Sequence, residues 1–88
     1  MLEQLKTFRS SVKEERICDL METIADFGDI VALEFPRAFP DLPADEYKHT
    51  EVWHLLIGST IPVGYPLTAS SEVIQWMEEK IQTFIDSF

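Results

Sequence analysis

The chain is poor in the residues that most often announce a chemistry. It has one cysteine, Cys18, in 88 residues. That excludes a disulfide framework and a zinc quartet within one chain, and it makes a reducing, cytoplasmic compartment the default. With three glycines in total, a glycine-rich phosphate cradle is excluded. G-x-S-x-G, P-loop and G-x-G-x-x-G sequences are all absent. No apolar segment approaches the roughly 18 residues of a membrane span. Met1-Leu2-Glu3-Gln4-Leu5-Lys6 lacks the basic start and apolar run of a signal peptide. Positive charge is scarce: seven bases face sixteen acids, for a net charge of −9. A duplex nucleic acid is therefore repelled rather than bound, and an anionic membrane surface is disfavoured for the same reason. Such a surface is complementary to a basic protein.

What is present is the composition of one folded domain. Apolar residues make up 45% of the chain, too many for a disordered acidic tail. Leu2, Leu5, Phe8 and Val12 share one helical face; Ile17, Leu20, Met21, Ile24 and Phe27 share another, rotated by roughly 100°. Between them Ser11 and Glu14 match a capping box. These features predict a short helix at 2–9 and a longer one at 12–27, with a single bent helix as the alternative. Gly28 then stands where a helix ends, and Asp29 where a new one is capped. Residues 30–35 fit either a two-turn helix stopped by Pro36 or a buried strand, and helix is preferred for want of a hairpin partner. A proline-punctuated connection follows, from Phe35 to Pro43. Asp41-Leu42-Pro43-Ala44-Asp45-Glu46 reads as the start of a helix that runs to Ile57 and ends at Gly58; a strand at 52–57 competes. Ser59 to Leu67 is a loop. Thr68 caps a last helix at 69–87, whose stripe is Ile74, Met77, Ile81, Phe84, Ile85 and Phe88. The fold class expected is all-α, a bundle of four or five short helices, with α+β and short strands near 30–35 and 52–57 as the fallback.

The one functional pattern is a stripe of like charge. Glu15, Asp19, Glu22 and Asp26 fall within about 60° of one another on a helix. No Lys or Arg lies between Arg16 and Arg37. Like charges one turn apart cost a few tenths of a kcal/mol per pair. Two readings stand: a solvated face, and an electrostatic docking ridge extended by Asp29 and Glu34. Carboxylates spaced by about 5–6 Å crudely resemble the phosphate repeat of a nucleic-acid strand. A cleft built for phosphates would accept them. Phe35, Phe39 and Tyr65, each followed by proline, are the candidate apolar anchors, since aromatic residues dominate interface energy.

The remaining candidates carry less. Glu51-Val52-Trp53-His54 is a single Glu-x-x-His, where a di-iron bundle needs two copies and two further Glu. His49 and His54 are off the spacing that places two imidazoles on one helical face. A partly buried His54, with no metal, is expected. Cys18 lies beside an apolar face and reads as a packed, inert thiol.

In size and acidity the chain resembles small inhibitor proteins such as bacterial immunity proteins, anti-restriction proteins and antitoxins. The likeness is one of composition and carries over no residue. The function expected is a non-enzymatic interaction protein, without cofactor, that docks on a basic protein. Inhibition of a nuclease or nucleic-acid-binding protein is the concrete form. The rival is a structural subunit or homo-oligomer assembled through residues 74–88.

Overall fold

Four α-helices carry the architecture: α1 (Leu2–Ser11), α2 (Ile17–Ala38), α3 (Glu51–Gly58) and α4 (Ser71–Ser87). The structure is a computed structural model that describes residues 1–58 and 60–88. Single turns of 3-10 helix at Glu14–Arg16 and Glu46–His49 precede α2 and α3. No strand occurs among the described residues, so the all-α expectation holds and both segments offered as strands are helical. Ser59, expected in the loop before Leu67, lies outside the described residues.

The junction between α1 and α2 does not use the expected capping box. Ser11 is the last residue of α1, and its hydroxyl donates back to the carbonyl of Phe8 at 2.8 Å. Val12 and Lys13 are extended, with ψ of 127° and 149°. That pair turns the chain, and it is why the apolar faces of the two segments are out of phase.

α2 departs most from the sequence reading. It passes straight through Gly28 and through Pro36, where two stops and a new cap at Asp29 were expected. Gly28 is not left-handed; among the described glycines only Gly64 has a positive φ, of 79°. A Cβ on Gly28 would stand 3.5 Å from the Trp53 ring, an ordinary van der Waals contact, so nothing in the packing there demands a glycine. Pro36 sits in the last turn and cannot donate to the carbonyl of Ala32, a defect that costs about 3 kcal/mol inside a helix. Burial of the residue before it opposes that cost. Phe35 is fully buried, with ring centroids 5.4 Å from Tyr47, 5.4 Å from Trp76 and 5.1 Å from Phe39. Read as one helix, residues Leu20, Ile24, Phe27, Val31 and Phe35 form a single buried stripe.

The helix expected from 41 to 57 is also rebuilt. The chain makes a turn of 3-10 helix, becomes extended at Thr50, and only then enters α3. Thr50 is buried, and its hydroxyl donates to the Tyr47 carbonyl at 2.7 Å while accepting weakly from the Trp53 amide at 3.4 Å. The break lies in the backbone of Thr50, whose φ of −114° and ψ of 144° are extended rather than helical. Val52, Leu55 and Leu56 are buried, as the apolar run requires. At the head of α4 the cap is Ser70 rather than Thr68, its hydroxyl accepting from the Val73 amide at 3.5 Å.

One apolar cluster joins all four helices. Around Phe84 at one end gather Phe8, Phe27 and Phe88, with centroids 5.9, 5.2 and 6.2 Å away. Around Phe35 at the other gather Phe39, Tyr47 and Trp76. Arg9 of α1 donates its guanidinium to the carbonyl of Leu56 in the last turn of α3, where a cation also meets the negative end of the helix dipole.

Candidate outer face of helix α2

A stripe that buries one face of α2 dictates what the other faces carry. With Leu20, Ile24, Phe27, Val31 and Phe35 turned inward, the opposite side presents Asp19, Glu22, Asp26 and Asp29, all exposed. At 3.6 residues per turn their spacings of three and four place them side by side, about 5–6 Å apart. None of them has an ion-pair partner among the described residues, where the recorded salt bridge is Lys80 to Glu34 at 2.6 Å. Three of the chain's seven bases are engaged elsewhere. Arg9 holds the end of α3, and Arg16 stacks 4.2 Å from the Phe88 ring centroid. Lys80 binds Glu34 and lies 5.3 Å from the Trp76 ring centroid. The ridge is therefore left uncompensated by its own molecule.

The expected site residues fall into three groups. Asp19, Glu22, Asp26 and Asp29 are brought together as one row; Asp29, expected as an extension and a cap, lies fully within it. Glu15 is exposed but belongs to the 3-10 turn before α2, so it stands beside the row's N-terminal end rather than in register with it. Glu34 is turned toward α4 and neutralised there by Lys80. The third group, the aromatic anchors, is corrected. Phe35 is 0% exposed at the centre of the core, because α2 continues across Gly28 in phase with Leu20 and Ile24 and carries it inward. Phe39 is half-buried, stacked on Phe35 and edge-on to Trp76 at 6.1 Å. Tyr65 is half-buried against two imidazoles, 4.3 Å from His54 and 5.4 Å from His49. Both histidines also bond backbone carbonyls: His49 to Pro66 at 2.8 Å, and His54 to Lys48 at 2.7 Å. Their role is to hold the 60–69 loop and the 3-10 turn.

Exposed apolar side chains on α2 were missed by the sequence reading. Ile30 and Leu33 are 51% and 60% exposed, and Met21 is 50% exposed. Ile30 and Leu33 lie on the outer side, following the acidic row toward the C-terminal end. The signal for them was available: once Gly28 is accepted inside the helix, the 20–24–27–31–35 stripe leaves positions 30 and 33 outside. Cys18 is likewise exposed, against the expectation of a packed thiol, because it falls on the outer side of the same stripe.

Other places offer less chemistry. A groove of about 510 Å³ opens among Leu2, Glu3, Glu51, Val52, Leu67 and Ile74, and no residue of α2 lines it. Glu51 of the Glu-x-x-His pair is exposed, and among the described residues no three His, Cys, Asp or Glu side chains gather to hold a metal ion. The apolar stripe of α4, the seam of the rival reading, is largely used inside the molecule. Val73, Met77, Ile81 and Phe84 are buried, and Trp76 and Phe88 pack on other helices. Ile74, 37% exposed, remains at its edge. No helix among the described residues is long and apolar enough to cross a membrane. No protein-family model, no characterised protein and no solved structure matches the chain.

Proposed function

We propose that the chain is a non-enzymatic, cytoplasmic interaction protein that docks on a basic protein through the outer face of α2. Inhibition of a nuclease or of another nucleic-acid-binding protein is its concrete form. The observation that carries the reading is the unpaired row Asp19, Glu22, Asp26 and Asp29, exposed on a helix with no base from Ile17 to Pro36. A row of carboxylates one helical turn apart approximates a line of phosphates, and a cleft lined by Lys and Arg accepts either. Long-range attraction raises the association rate, while apolar contact from Ile30 and Leu33 slows dissociation. Glu15 flanks the row. Phe39 and Tyr65 contribute at most their exposed edges, and Glu34 contributes through its pair with Lys80.

The test is charge reversal on and off the row. Affinity capture with the tagged chain supplies the partner, and association kinetics then compare Asp19→Lys and Glu22→Lys with the double variant Glu78→Lys plus Glu79→Lys on α4. The reversals on α2 should slow association, most strongly at low salt. Equal weakening by the α4 variant would reduce the effect to net charge. Unchanged binding by the α2 variants would make the row a solvated face.

A further inference from the structure

We propose that the partner presents an amphipathic basic helix to the outer face of α2, with apolar anchors seated at the C-terminal end of that face. The proposal rests on the docking reading above and names the structure and chemistry of what docks. On the side of α2 opposite its buried stripe, charge and apolar surface follow one another; Ile17 and Met21, also about half exposed, fall off that side, beside the buried stripe. The row of Asp19, Glu22, Asp26 and Asp29 comes first; Ile30 and Leu33, more than half exposed, come after it. A groove of about 360 Å³ between α2 and α4 runs from Thr23 and Asp26 past Ile30 to the Glu34–Lys80 pair, with hydroxyls of Thr83 and Ser87 on its α4 side and the nearly buried rings of Phe27 and Phe84 at its floor. An apolar side chain that crosses Ile30 enters this groove and meets aromatic rings.

Spacing selects the helix. At about 1.5 Å per residue the row from Asp19 to Asp29 spans roughly 15 Å, with a carboxylate every 5 Å or so. Lys or Arg at three- and four-residue intervals on a facing helix rises at the same rate, so each base meets an acid along the whole row. A strand offers one side chain per roughly 6.7 Å on a given face and falls out of step. A second copy of this chain brings the same charge of −9 and is repelled, and a nucleic acid is repelled by its phosphates. The order of the two regions also constrains the partner: its bases form a block, and its anchors lie beyond one end of that block rather than interleaved with it.

The probe is a synthetic alanine-based helical peptide of about five turns, with arginines along one stripe and two leucines beyond its end. Its controls replace the leucines with alanine, or scatter arginines and leucines around the helix at the same composition. Fluorescence anisotropy measures binding of each to the full chain. The segregated peptide should bind about 10- to 100-fold more tightly than either control, a factor that two interface anchors supply. Ile30→Ala with Leu33→Ala should lose the same factor with an unchanged melting temperature, because both side chains are exposed. Equal binding of the leucine-free and scattered peptides would overturn the amphipathic helix and leave charge-driven docking standing. Failure of every peptide, while an intact basic protein still docks on the row, would overturn it too, in favour of a folded cleft. Tight binding that survives Asp19→Lys and Glu22→Lys would instead refute the docking reading itself.

Discussion

Glu22→Lys should make the free protein more stable, and that is the sharpest available test of the α2 surface. Glu22 sits between Asp19 and Asp26 on the exposed side of the helix. Each like-charge pair at this spacing costs about 0.2–0.5 kcal/mol, and each opposite pair returns a similar amount. Reversal of Glu22 exchanges two repulsions for two attractions, a gain of about 1–2 kcal/mol before screening. Asp19→Lys behaves differently. It relieves one repulsion, but Asp19 lies in the first turn of α2, where a carboxylate gains about 0.3–1 kcal/mol from the positive end of the helix. The two effects nearly cancel. Urea unfolding followed by circular dichroism should therefore rank Glu22→Lys above wild type, and Asp19→Lys close to it. For a domain of this size a gain of 1 kcal/mol raises Tm by about 4–8 °C. The advantage should fade toward 1 M salt, where the screening length is about 3 Å. A Glu22→Lys protein that is less stable than wild type at low salt would mean that Glu22 already has a favourable partner in the native state. The row would then not be the uncompensated surface on which the docking argument depends.

Three further outcomes test the framework around that surface. Ile81 is fully buried, so Ile81→Ala should cost about 2–5 kcal/mol in chemical denaturation; a smaller loss would mean that α4 does not face the core as described. Arg9→Ala removes a charged donor from the last turn of α3 and should cost about 1.5–3 kcal/mol, with Arg9→Lys recovering part of it in the same assay. Tyr47 is buried beside Asp45, and burial, with that charge adding to it, raises its phenol above the ordinary value. The folded state therefore holds this proton more tightly than the unfolded chain. The resulting stability is fully present below the unfolded pKa and is lost as pH rises through the higher folded value. Alkaline unfolding curves should show this loss, and Tyr47→Phe should remove its share of the pH dependence; an unaltered alkaline limb would refute the assignment.

What the sequence decided alone is what depends on neighbours a few residues away. The 3.6-residue period made α1, the first half of α2 and α4 legible, and the excess of acids over bases made a basic partner the complementary class. The break after Ser11 was also legible, although the Ser11–Glu14 box that suggested it does not form. Tertiary structure decided where local signals conflicted with packing. Gly28 and Pro36 are strong local stops, yet α2 crosses both. The reason is that Phe35, reached by a helix in phase through position 28, is buried against Tyr47 and Trp76. Those contacts join residues far apart in the chain, so no window around position 28 or 36 contains them. The same event fixed the surface. One extra half-helix in phase with Leu20 and Ile24 carried Phe35 from candidate anchor into the core. It turned Ile30 and Leu33 outward and drew Asp29 into the acidic row. Phase along a helix is local, but how far the helix runs is set by what it packs against.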